Sequence, residues 1–167
     1  MSAEPSIVRL EHWGPGDLGL LRGLHADPAM MEHLGGPESE EKLADRLARY
    51  RAPGSGMFRV VELEGGESAG SIGLWTRTWR GEDIWETGWA VLPRFQRRGI
   101  ALAAARAVIE KAASRPERHA LHAFPAVENG PSNAICRRLG FVLVEESELE
   151  YPPGHRMRCN VWRLELG

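Results

Sequence analysis

The sequence is short of most features that would sort it quickly. Its only cysteines, Cys136 and Cys159, stand alone with no Cys-x-x-Cys spacing. That argues against a disulfide scaffold and a cysteine zinc site, and fits two reduced thiols in a cytoplasmic chain. No apolar run approaches the roughly 20 residues needed to span a bilayer. The opening Met1-Ser2-Ala3-Glu4-Pro5 lacks the basic and apolar regions of a secretory signal. Neither sign of charge dominates: net charge is -2 and the sequence pI about 6.3. No footprint for nucleic acid or an anionic membrane follows from that balance. Internal repeats and low-complexity linkers are absent, as are G-x-x-x-x-G-K-[ST] and G-x-G-x-x-G, so nucleotide binders lose ground. His119 and His122 lie three apart on an expected strand and so face opposite sides; no metal is expected.

What is present suits one globular domain over residues 1–167, with 43% hydrophobic and 26% charged residues. Ile7 to Glu11 alternates as a strand. Leu18, Leu21 and Leu24 mark a helix from Gly16 to Ala26, and a short helical turn is expected around Met30–Leu34. Ser39 caps a second helix running to about Arg51. Strands follow over Phe58–Leu63, Ala69–Trp75 and Ile84–Leu92, with turns at Gly65-Gly66 and Gly81-Glu82-Asp83. An Ala-rich helix occupies Gly99 to Ala113, then a strand His119–Phe124. A helix begins at Gly130-Pro131 and stops at Gly140, before strands at Phe141–Glu146 and Arg158–Leu166. The order β-α-α-β-β-β-α-β-α-β-β predicts an α/β fold, a mixed central sheet of about seven strands with helices on both faces.

The chemistry concentrates in Val91-Leu92-Pro93-Arg94-Phe95-Gln96-Arg97-Arg98-Gly99-Ile100-Ala101. A strand stops, a basic loop follows, and a helix opens at a glycine. Unpaired N–H groups and the positive end of the helix dipole bind phosphate there. Taken alone, the segment also fits a helix start carrying solvated arginines.

Gln96-Arg97-Arg98-Gly99-Ile100-Ala101 resembles the Q/R-x-x-G-x-G/A signature with which GNAT acyltransferases hold the pyrophosphate of CoA. Glu86 to Pro93 is similar to that family's fourth strand. Asn129-Gly130-Pro131-Ser132, followed by Leu139-Gly140-Phe141, resembles its second motif, and the element order matches from end to end. Arg9-Leu10, Asp27-Pro28 and Ser71-Ile72-Gly73-Leu74 look most like the RimJ/RimL branch. The resemblance implies acetyl-CoA as co-substrate and an amine acceptor, a protein N-terminus or a small amine. Backbone groups of Val91 and Leu92 are expected to bond the pantetheine arm where the fourth strand splays from the fifth. The amides of Gln96, Arg97, Arg98, Gly99, Ile100 and Ala101 are expected around the pyrophosphate, with Asn129 on the pantetheine, or else merely capping its helix.

An amine protonated at neutral pH needs a base before it can attack a thioester. Glu86, on the same face of the pleat as Gly88, is the candidate, with Asp83 in reserve. Family members often carry a tyrosine acid where this sequence has Cys136, and Ser132 is the expected replacement. Trp75 and Trp79 are expected in the acceptor pocket, and the loop Tyr151–Arg156 beside it. The alternative is a non-catalytic acyl-CoA-binding sensor or interaction module. The C-terminal edge strands leave room for a homodimer.

Overall fold

The computed structural model describes residues 6–150 and 153–167. In chain order the elements are β1 (Val8–Glu11), α1 (Leu18–His25), α2 (Glu40–Arg51), β2 (Met57–Glu62), β3 (Ser68–Trp79) and β4 (Glu82–Val91). A 3-10 turn, Pro93–Phe95, leads to α3 (Ile100–Ala113), β5 (Ala120–Ala123), α4 (Gly130–Arg138), β6 (Val142–Glu150) and β7 (Arg156–Glu165). The strands form one seven-stranded sheet ordered β1-β2-β3-β4-β5-β7-β6. Every neighbouring pair is antiparallel except β4 with β5. The expected architecture is therefore the observed one.

Strand alternation sorts the residues of β3 and β4 between two layers. Ile72, Leu74 and Trp85 point to the face buried by Val108, Ala104 and Ala105 of α3, in a cluster that also holds Cys136 of α4. The methyl-sized side chains of α3 bring the helix close to the sheet. Each fully buried Leu, Val or Ile contributes roughly 1.5–3 kcal/mol. On the other side α1 and α2 bury Leu21, Leu24, Leu43 and Leu47 together with Trp13. Ser39 caps α2 as expected, its side chain accepting from the Lys42 amide at 3.3 Å.

Three boundaries depart from expectation. Strand β3 runs four residues past Trp75, because the hairpin to β4 closes in two residues, Arg80 and Gly81. Both have positive φ, 48° and 81°, as a two-residue hairpin turn demands. Glu82 and Asp83 accordingly belong to β4. Around Met30–Leu34 the chain makes hydrogen-bonded turns, such as Met31 N to Asp27 O at 3.1 Å, without becoming a helix. Strand β6 extends to Glu150 and β7 begins at Arg156, so the loop between them is shorter than expected. Tyr151 and Pro152 of that loop lie outside the described residues.

Candidate active site

Strands β4 and β5 pair over three positions only, Trp85 with Leu121 to Thr87 with Ala123. Beyond Thr87, β4 continues to Val91 while the other chain leaves. Pro125 explains the departure, since it has no N–H to give the ladder. The chain swings to β7 instead: the Pro125 carbonyl accepts from Asn160 N at 2.9 Å, and Val127 N donates to Arg158 O at 3.1 Å. A gap opens within the sheet.

Leu92 does not serve this gap as expected. Its amide donates to Ala69 O at 2.8 Å, toward β3, and its carbonyl accepts from Phe95 N at 2.9 Å. Neighbouring residues of a strand turn their polar backbone groups to opposite sides. Val91 therefore faces the gap, and so does Trp89, which motif reading passed over although alternation alone identifies it. The Val91 carbonyl accepts from Gln96 Nε2 at 3.0 Å, so the Val91 amide is the group left to bond a guest.

Downstream, the Gln96 amide is also committed, donating to Pro93 O at 3.2 Å. Gln96 thus acts through its side chain on Val91 rather than through its N–H. For the amides of Arg97, Arg98, Gly99, Ile100 and Ala101 no partner occurs among the described residues. Arg97 and Gly99 both hold positive φ, 62° and 77°, which turns successive N–H groups into a concavity suited to an anion. A non-glycine residue in this region is strained, as happens at binding sites. Arg94 and Arg98 flank the turn over the Phe95 ring, with ion pairs to Glu67 at 3.4 Å and Glu64 at 3.6 Å.

Helix α4 borders the far side of the gap. Asn129 Oδ1 accepts from Ser132 N at 3.2 Å, so the residue does cap the helix, and both side chains also line the cavity described below. Asn133, missed in the sequence, holds the approach to this helix. Its buried carboxamide donates to the carbonyls of Ala126 at 3.0 Å and Asn129 at 2.8 Å, while Oδ1 accepts from Asn160 Nδ2 and Trp162 Nε1. Cys136 is fully buried in the α3 core, and burial pushes its thiol up to about 12. A thiol kept neutral by burial is a weak nucleophile.

Between the gap and the α1–α2 layer lies a cavity of about 490 Å³, within the size range of small-molecule sites. Its floor is the face of β3 and β4 that carries Trp75, Glu86, Gly88 and Ala90. Glu86 is mostly buried and accepts from Arg77 Nη1 at 2.8 Å. Burial raises its pKa above the usual carboxylate range, against the opposing pull of Arg77 and, last, Trp75. A carboxylate held this way is a better proton acceptor than an exposed one. Asp83, the reserve base, bonds Thr78 Oγ1 at 2.7 Å in the hairpin and is exposed.

Trp75 lines the cavity, but Trp79 does not. Trp79 packs edge-on against Phe124 at 5.0 Å, with the Arg77 and Arg80 guanidinium groups over its ring. His25 is a lining residue that sequence reading did not single out. It closes α1 one turn after Leu21, so it follows the buried stripe. Its Nδ1 has no partner among the described residues, and burial, then the Arg46 charge, lowers its pKa to about 4. His122 sits 3.3 Å from Arg163, and no group of metal-ligating side chains occurs among the described residues.

A gap in a sheet, running from a helix start with unpaired amides to a mostly buried carboxylate, is the layout of a protein that takes a long co-substrate into its sheet. The acetyltransferase (GNAT) domain matches residues 8–142, and the chain belongs to that family of acetyl-CoA-dependent N-acyltransferases. Solved structures agree in fold. A GNAT-family acetyltransferase from Bacillus anthracis is 18% identical, with TM-score 0.81 and coverage of 99% of both chains. The RimL ribosomal L7/L12 α-N-protein acetyltransferase in complex with coenzyme A is 18% identical, with TM-score 0.77 and coverage of 96% of this chain and 95% of that one. Spermidine N-acetyltransferase from Vibrio cholerae, in complex with CoA and spermine, is 17% identical, with TM-score 0.76 and coverage of 96% of each. Among curated proteins no match was found.

Proposed function

We propose that the chain transfers an acetyl group from acetyl-CoA to a primary amine, on a protein N-terminus or a small molecule, by direct attack on the thioester. The carrying observation is the placement of Glu86, a buried carboxylate on the cavity floor at the inner end of the β4–β5 gap. The unpaired amides from Arg97 to Ala101 fit the pyrophosphate, and Val91 and Trp89 fit the arm. Asn129 offers its carboxamide at the same edge.

Glu86 accepts the proton that frees the amine lone pair, directly or through water. The amine nitrogen then bonds the acetyl carbon. A backbone amide of β4 near Val91 stabilises the charge that gathers on the carbonyl oxygen. As the carbon–sulfur bond breaks, Ser132 gives its hydroxyl proton to the leaving thiolate; the excess proton on the new amide nitrogen passes through solvent to restore the Ser132 hydroxyl, and Glu86 returns its own proton to solvent. Positioning supplies much of the remaining acceleration.

Glu86→Gln is expected to lower kcat by about 10²–10⁴-fold with thermal stabilisation by CoA retained. Thiol release over an amine panel measures the first, a melting curve the second. An unchanged kcat removes Glu86 from the mechanism. One observation favours the sensor reading instead: the family's tyrosine position holds the buried Cys136. Stabilisation by CoA with no turnover on any amine, in the parent protein, establishes that reading.

Within the family we place the chain in the RimJ/RimL-like branch, as a single cytoplasmic domain over residues 1–167. Support comes from its opening motifs and from the fold shared with RimL. A homodimer through the outer strand β6 is supported by the exposed run Val142, Leu143 and Val144.

A further inference from the structure

The acceptor side of the cavity has a definite chemical character. Trp75 on β3 lies across two glycines that face each other on neighbouring strands, Gly73 and Gly88. A Cβ on Gly73 would stand 2.6 Å from the Trp75 ring, and one on Gly88 would stand 3.3 Å from it. The paired glycines thus clear a bed on which the indole rests against the sheet, directly opposite Glu86 in the register. The same cavity is lined by Met30, Leu34, Met57, Phe124, Leu149 and Met157. Three of these are methionines, which adapt to an aromatic or irregular apolar guest.

The buried charges are already matched. Among the described residues two carboxylates line the cavity, Glu86 and Glu150. Glu86 is bonded to Arg77, and Glu150 lies exposed at the rim, accepting from Gly154 N at 2.6 Å. The two lining arginines are spoken for as well: Arg77 by Glu86, and Arg46 by both oxygens of Glu38 and by Tyr50. A second ammonium on the acceptor finds no buried carboxylate to receive it. A carboxylate on the acceptor finds no uncommitted guanidinium. Either group would be desolvated without a partner, which is strongly unfavourable.

From this we infer that the acceptor is a primary amine with a single charge, attached to a flat apolar or aromatic body that lies on Trp75. The inference rests on the acetyltransferase reading above and narrows it. Polyamines and free amino acids are disfavoured, although spermidine N-acetyltransferases share the fold. The same chemistry is offered by a free arylalkylamine and by the first residue of a peptide beginning with an apolar side chain.

The test measures thiol release from acetyl-CoA with 2-phenylethylamine, phenylalaninamide, a peptide beginning with Phe, free phenylalanine and spermidine. The expected result is a kcat/KM for at least one of the first three about 100-fold above spermidine and free phenylalanine. Which of the three leads distinguishes the free amine from the peptide terminus. Trp75→Ala is expected to raise the KM of the preferred aromatic acceptor about tenfold, with a smaller effect on butylamine, and Trp75→Phe to recover most of the loss. A preference for spermidine or free phenylalanine overturns the inference and leaves the acetyltransferase standing. So does a Trp75→Ala variant that is stabilised by CoA as the parent is but keeps the parent's ranking of aromatic over aliphatic acceptors. Absence of turnover with every amine overturns both.

Discussion

His25 couples the cavity to the stability of the whole domain. The ring is buried at the end of α1, its Nδ1 without a partner among the described residues, and its pKa falls from 6.5 to about 4. Burial is the main cause, followed by the Arg46 charge; Glu38 opposes and Arg49 adds. Because the folded value lies below the unfolded one, the site stabilises the fold fully above about pH 6.5. That contribution is lost as the pH falls from 6.5 toward 4. The whole shift corresponds to about 3 kcal/mol at roughly 1.4 kcal/mol per unit. About 2 kcal/mol of it disappears between about pH 7 and about pH 5. Urea unfolding of the parent and of His25→Gln at those two pH values isolates the effect. The parent is expected to lose about 2 kcal/mol more than the variant on acidification. His122, whose pKa burial also lowers, acts with the same sign. Glu86, with a raised pKa, acts with the opposite sign. Both are common to the two proteins and cancel in the difference. Parallel pH profiles for parent and variant would refute the reasoning, because a ring charged at no cost in the fold cannot be a buried neutral one.

Two further predictions bear on the co-substrate and on assembly. At Gly99 the nearest atom to an added Cβ is Ile7 Cδ1 at 3.7 Å, so Gly99→Ala meets only the penalty of its positive φ. The expected loss is about 1–2 kcal/mol of stability, with a raised KM for acetyl-CoA and an amine KM left alone. Melting curves and initial rates check this, and an unchanged KM would detach the left-handed turn from pyrophosphate binding. For the β6 edge, Val144→Lys is expected to convert dimer to monomer in analytical sedimentation while leaving turnover unchanged. A parent protein that sediments as a monomer removes the dimer.

Much of the fold was legible because its punctuation is chemical. Ser39 before Glu40 and Glu41, Gly65-Gly66 between strands and Gly140 after α4 each mark a boundary by residue type. The β3–β4 hairpin was misread because Arg80, which gives no such sign, adopts the left-handed conformation a two-residue turn requires. At the candidate site, the sequence motif singles out Gln96 to Ala101, and the strand position shared with the family singles out Glu86. The motif did not reveal that the amides of Leu92 and Gln96 are consumed by Ala69 and Pro93, since those partners come from the sheet and the 3-10 turn. His25 and Asn133 were invisible for a different reason. Nothing in their neighbouring sequence says that distant segments, Glu38 and Arg46 for one, Asn160 and Trp162 for the other, converge on them.

The departure of the chain at Pro125 leaves the sheet as two blocks, β1 to β4 and β5 with β7 and β6, stitched at three residue pairs. Trp75 rides on the first block, while Leu149 and Met157 ride on the second. The breadth of the cavity therefore depends on the angle at that seam. Leu121, fully buried where β5 pairs with Trp85, sits at that seam and outside the cavity lining.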